Sequence, residues 1–410
     1  MAQILPFKGF LPASPLAEKI VTHSADNYTL EEAKKIVQAN PLSYLSIIYP
    51  DFIDHQKTPP HSLARFNKIY QRFQYFVQQN YLIQDRQPTY YIYQQQHPDA
   101  VFNGIIAAIH IKDYTNGTIK IHEQTLKERE QKLKEYLKHC KINAEPVLFF
   151  YEKNPSLENI LLTTQTHKPF ISIQKGKIFH RLWKLSDSTS HQFIQSAFSK
   201  MSSVYIGDGH HRSASSVLLA QELHNANKST QYFLGAFFQE DHLKIFSFHR
   251  LLKHLPVPEN LLDQLNKYFD ISELSNAAYP LHTTTIGMYV HQKRYGLKLK
   301  KHLSNHILAT EILYHYILKP IFHIKDIRHN PYIQYVPAYT CSIQQAEQWI
   351  DQGKYVIGFF TYPVSTEVIK HIADQHQTMP PKSTYVLPKL LNGLVMYSLE
   401  NSMEEVETIK

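Results

Sequence analysis

Hydrophobic and polar positions recur along this chain with two different periods. From Ser62 to Asn80 the apolar and aromatic residues fall at Leu63, Phe66, Ile69, Tyr70, Phe73, Phe76 and Val77. That spacing predicts an amphipathic helix. Thr29 to Gln38 predicts a shorter one, with Thr29 as its cap, Glu31 and Glu32 in the first turn and lysines after them. The period then shortens. Tyr90 to Tyr93 and Phe102 to Ile111 are rich in β-branched and aromatic residues and flank a polar turn, which predicts a hairpin. Asp113 to Gly117 reads as a turn on its Asn-Gly pair, followed by a short strand over Thr118 to Ile121. A long charged helix is expected from about Thr125 to His139, and a buried strand from Pro146 to Tyr151.

Phe170 to Ile173 and Lys177 to Leu185 predict a second hairpin about Lys175-Gly176, and Ser186 to Lys200 a helix opened by Ser186 or Asp187. Ser203 to Ile206 predicts a strand that runs into Gly207-Asp208-Gly209-His210-His211-Arg212, after which an apolar face marks a helix to about Asn225. Strands follow over Tyr232 to Phe238 and Leu243 to Phe248, and Lys382 to Leu391 passes from polar to apolar. Hairpins interleaved with helices imply an α/β (α+β) protein, a mixed sheet with packed helices. At 410 residues two lobes are expected, an N-terminal one over 1–150 and a C-terminal one over 151–410, with a single intertwined unit as the alternative.

Composition narrows the class. Hydrophobic residues at 43% suit a sizeable core, and 12 glycines with 22 prolines exclude collagen-like sequence. The formal charge of +8 suits generic solubility first and an anionic small molecule second, and the basic residues are dispersed among 35 acidic ones, so no nucleic-acid partner is expected. Two distant cysteines, Cys140 and Cys341, exclude a disulfide framework and a thiolate zinc site. No apolar run reaches transmembrane length, and a cytoplasmic protein without a membrane partner is the simplest expectation.

Candidate chemistry centres on Gly207 to Arg212. A strand ends there, two glycines bracket an aspartate, and three potentially cationic side chains open a helix. Glycine permits a sharp turn close to a ligand. Helix-terminal amides attract anions, and Arg212 supplies a forked donor for phosphate or carboxylate. Asp208 suits a metal or the orientation of a histidine, and His210 or His211 suits proton exchange near neutral pH. A capping turn with solvated histidines is the plainer alternative. Adjacent histidines do not share a helix face, which argues against their chelating one metal.

Three further clusters stand out. His122-Glu123-Gln124-Thr125 lies at a strand-to-helix junction, where a carboxylate can be a base, a magnesium ligand or a partner of the helix dipole. Lys382-Ser383-Thr384 resembles the end of a phosphate loop but lacks its glycine-rich start, so it is no Walker motif. His249-Arg250 and Asp326-Ile327-Arg328-His329 read first as structural pairs or solvated turns.

The order of these segments resembles a bacterial and archaeal family of domains of unknown function, number 1015. The resemblance lies in Ile4-Leu5-Pro6-Phe7-Lys8, Asn40 to Leu45, Lys120 to Thr125, Gly207 to Arg212, His249-Arg250, and Lys382 to Tyr385 with Pro388-Lys389. An aromatic and an acidic residue are expected after His-His-Arg in many members. Here Ser213, Ala214, Ser215 and Ser216 follow, so no carboxylate is carried over at that place. More distantly, Asp208 to Arg212 is similar to the Asp-Gly-His-x-Arg signature of free-serine kinases on the ParB/sulfiredoxin-like fold.

That second resemblance implies a nucleotide-binding core in which Asp208, His210, His211 and Arg212 form a phosphate and Mg2+ site. Glu123 would be the base. From residue type alone, Gly207, Gly209, Lys382, Ser383 and Thr384 are expected at the phosphates, with His122, Thr125, His249 and Arg250 as further polar candidates. The expected function is a phosphotransferase acting on a small anionic or hydroxylated metabolite such as free L-serine, with a nucleotide or pyrophosphate as donor. The alternatives are a phosphate-ester or nucleotide hydrolase at the same site, and a non-catalytic ParB-like regulatory module.

Overall fold

The computed structural model describes residues 1–224, 227–275, 278–303, 308–328 and 330–403. Asn225, the expected end of one helix, and His329 lie outside them. Internal contacts divide the chain into two units, Met1–Leu243 with Pro388–Lys410, and Lys244–Leu387. Residue 150, the boundary expected from the sequence, lies instead within a strand of the first unit, Val147–Tyr151. A boundary there would cut a sheet.

The first unit carries, in chain order, β1 (Ile4–Leu5), α1 (Leu30–Ala39), α2 (Leu63–Gln78), β2 (Tyr90–Gln96), β3 (Val101–His110) and β4 (Ile119–Lys120). Next come α3 (Lys127–Cys140), β5 (Val147–Tyr151), α4 (Pro155–Gln165), β6 (Ile171–Lys175) and β7 (Ile178–Leu185). α5 (Ser188–Ser199), β8 (Val204–Asp208), α6 (His210–Glu222) and β9 (Tyr232–Gln239) follow. The strands form one nine-stranded sheet in the order β4-β8-β5-β9-β3-β2-β7-β6, with β1 on β3. It is mixed: β4 runs parallel to β8 and β5 parallel to β9, while the other pairs are antiparallel.

The expected elements form for the stated reasons. Thr29 and Glu32 make a reciprocal capping box at α1, and Ser62 caps α2. Gly176 at φ +62° turns the second hairpin. Helix α4 is absent from the sequence expectations, although Asn154 caps it and Pro155 opens it. Alternate residues of the strands face one core: Ile92, Ile105, Ala107, Phe149, Ile206 and Phe237 pack against Leu157, Ile194, Phe198, Val217 and Ala220 of the helices. Each fully buried large side chain there contributes roughly 1.5–3 kcal/mol.

The second unit holds β10 (Phe248–Leu252), β11 (Phe269–Leu274), β12 (Thr285–Val290), β13 (Lys293–Leu299), β14 (Ile333–Pro337), α7 (Ile343–Asp351), β15 (Ile357–Phe360) and α8 (Thr366–Asp374). Its six-stranded antiparallel sheet has the order β11-β13-β12-β15-β10-β14. The strand expected over Leu243 to Phe248 is two: Lys244–Phe246 pairs with Tyr385–Leu387, and Phe248 begins β10. Among the described residues no helix is long and apolar enough to cross a membrane.

Candidate functional site

Strand pairing builds the site at one edge of the first unit's sheet. Val204 of β8 aligns with Ile119 of β4 in parallel, so the segments leaving both strands emerge side by side. Carboxyl ends of parallel strands are where open α/β sheets place ligands. Against β5, Ile206 pairs with Phe149 and Asp208 with Leu148, leaving Gly207 as an extra residue in a bulge. A Cβ on Gly207 would lie 2.3 Å from Leu148 Cδ2, so a side chain in the bulge that aims Asp208 would require the buried Leu148 side chain to move. Gly209 then takes φ +104°, a left-handed conformation, and Arg212 folds back over it.

Asp208 is an ion-pair hub. Its Oδ2 accepts a hydrogen bond from Lys389 Nζ at 2.8 Å, and Arg212 Nη2 lies 3.8 Å from its Oδ1. Partial desolvation by the surrounding protein pushes the half-exposed carboxyl up, but Lys389 and Arg212 override it and hold the group well below the usual carboxylate range. Arg212 is itself pinned: Nη1 donates to the Pro146 carbonyl at 2.7 Å and lies 2.8 Å from Glu145 Oε1. Ser215 and Ser216 donate to the Arg212 carbonyl, within the helix itself.

The loop after β4 meets the start of α6. His210, buried, has its Nδ1 3.7 Å from Glu123 Oε2 and packs edge to face on His122 at 4.5 Å. Burial lowers His122 to about 4, and burial with His122 beside it takes His210 well below its ordinary value. Both rings are neutral at neutral pH. His211 Nε2 accepts the Leu126 N–H at 3.0 Å, and Thr125 donates to Glu130 instead of facing the cluster. The Glu123 side chain is 43% exposed and Asp208 44%, so both carboxylates reach solvent.

Among the described residues no group of three or more His, Cys, Asp or Glu could hold a metal. Single carboxylates such as Asp208 suit Mg2+, which takes its other ligands from phosphate oxygens and water, and do not suit zinc.

The profile of a family described as a protein of unknown function, DUF1015, matches residues 4–321. The chain belongs to this family. No curated protein matches it. Among solved structures, a free serine kinase in complex with AMP is 13% identical at a TM-score of 0.38, over 74% of this chain and 93% of that one. A conserved hypothetical protein from Pyrococcus furiosus is 13% identical at 0.38, over 72% and 95%. C-terminally truncated SbnI from Staphylococcus aureus is 11% identical at 0.38, over 70% and 85%.

The remaining candidates of this DUF1015 member belong to the second unit. Arg250 is buried, with Nη1 donating to the Phe248 carbonyl at 2.7 Å and Nη2 to the Lys382 carbonyl at 2.9 Å. Burial lowers its guanidinium to about 10. His249 donates from Nε2 to the Cys341 carbonyl. Ser383 is buried between the Pro380 carbonyl and the Thr310 hydroxyl, and Lys382 Nζ sits over the Phe248 ring at 5.4 Å. Thr384 precedes the strand Tyr385–Leu387. Hydrogen bonds within the second unit thus occupy Arg250, His249 and Ser383. The family match ends at 321, before Lys382.

Two site residues of this DUF1015 chain are absent from the sequence-derived set, Lys389 and Glu145. Lys389 stands in the Pro388-Lys389 pair on which the family resemblance partly rests. Glu145 gives no signal of its own, because its role follows from Arg212 folding over Gly209.

Proposed function

We propose that the DUF1015 site transfers a phosphoryl group to the hydroxyl of a small metabolite, free L-serine being the first acceptor to test. The observation that carries this reading is the meeting of Glu123 with the Asp208–Arg212 turn and Lys389 at the ends of two parallel strands. Phosphoryl transfer needs little more than positioning and fixed charge. Glu123 would take the proton of the acceptor hydroxyl as its oxygen bonds to phosphorus. The bond from phosphorus to the donor's leaving phosphate would break, and the proton would stay on Glu123. Lys389 and Arg212 would face the charge on the phosphoryl oxygens. Mg2+, held by Asp208, would neutralise donor phosphates. The likeness of Asp208 to Arg212 to the free-serine kinase signature supports the same reading, and the donor would be a nucleotide or pyrophosphate.

The test is phosphoserine formation from L-serine with ATP, ADP or pyrophosphate and Mg2+, for the wild type and Asp208→Ala. Phosphoserine from the wild type alone is expected. Phosphate release without phosphoserine would assign a hydrolase, and nucleotide binding without turnover a regulatory module.

A further inference from the structure

His210 and His211 both turn Nε2 toward backbone N–H groups of one loop. His122 N–H points to His210 Nε2 at 3.4 Å, and Leu126 N–H to His211 Nε2 at 3.0 Å. A ring nitrogen that accepts an N–H uses its lone pair, so the proton of each neutral ring lies on Nδ1. In His210 that nitrogen is the one 3.7 Å from Glu123 Oε2. Consecutive helix residues point about 100° apart. Two contacts four loop residues apart therefore hold the loop around the first turn of α6, with Glu123 between them. The loop joins β4, which ends at Lys120, to α3, which begins at Lys127.

We propose that His210 and His211 are positioning residues, whose Nε2 atoms accept backbone N–H groups of the 121–126 loop and thereby aim Glu123. The purpose assigned to the aim rests on the phosphoryl-transfer reading. The role of the two rings rests on their geometry.

Glutamine offers an Oε1 acceptor close to where histidine carries Nε2, but it cannot act as an acid or base at neutral pH. The full chain is therefore compared as wild type, His211→Gln, His211→Leu, His210→Gln and His210→Leu, by amide hydrogen exchange over residues 121–126 and by phosphoserine formation. Loss of one hydrogen bond predicts about five- to tenfold faster exchange in the leucine variants. The glutamine variants should stay within about twofold of wild type. Turnover should be lost with leucine and kept with glutamine. Wild-type exchange in His211→Leu would overturn the proposal. So would a glutamine variant that keeps loop protection yet loses turnover as fully as leucine. Should buried His210→Leu not fold, the half-buried His211 pair decides alone. If no form turns over serine, the phosphotransfer reading fails, and exchange still decides the role of the rings.

Discussion

Lys389 Nζ lies 2.8 Å from Asp208 Oδ2, an ion pair between residues 181 positions apart. With side chains 31% and 44% exposed, the pair contributes under about 1 kcal/mol to stability. On the proposed phosphoryl transfer its weight should be catalytic. Lys389→Met is expected to lower kcat/KM about 10²-fold while urea midpoints barely move. With Asp208→Asn as background, the lysine change should cost far less than alone. Steady-state kinetics of the four forms checks this, and independent losses would sever the two residues functionally.

Glu123→Gln removes the proposed base and keeps the shape. Turnover should fall by about 10²-fold or more, with ATP affinity by calorimetry within about threefold of wild type. A fall in affinity as large as the fall in turnover would make Glu123 a binding group.

Gly207→Ala places a Cβ 2.3 Å from Leu148 Cδ2, in a buried strand pair. Overpacking there should destabilise by about 1–3 kcal/mol in urea unfolding. Adding Leu148→Ala should make the double variant more stable than the sum of the single losses predicts. Strict additivity would show that the bulge does not depend on the missing side chain.

Burial lowers His110 to about 4, with Lys112 adding to it, and lowers His122 to about 4. It lowers His180 to about 3, with His23, His97 and Lys175 beside it. Near pH 5 the three rings are neutral when folded and charged when unfolded, so unfolding takes up protons. Stability is complete above the ordinary value of 6.5 and is lost as the pH falls toward 4. Asp113, raised to about 6 by burial, acts in the opposite sense, one carboxyl against three rings. Tm should therefore fall from pH 7 to 4.5 in scanning calorimetry. A rising Tm over that range would contradict these environments.

Local chemistry was legible in the sequence. The capping box at Thr29, both hairpins, the strand into Gly207 and the helix from His210 are short-range consequences of residue type. The meeting of Glu123 with His210 was legible only as a resemblance between separated segments. Its cause is the parallel pairing of Ile119 with Val204, and a two-residue strand leaves almost no periodic trace. The division of the chain was not legible either. The sheet that contains Phe150 takes strands from both sides of it, and hydrophobic period does not encode strand order. Nor did the Lys-Ser-Thr segment reveal that Ser383 closes a hydrogen-bonded corner with Thr310.

The pairing of Lys244 with Leu387 means that the chain leaves the first unit and returns to it through two adjacent strands. During synthesis, then, Asp208 is made long before its partner. At about 5–20 residues per second, the 181-residue interval lasts roughly 10–35 s. A nascent chain stalled anywhere in that interval would carry Glu123, both histidines and Arg212, yet lack the ammonium on Asp208. Completion of the site is thereby tied to synthesis of the chain through Lys389.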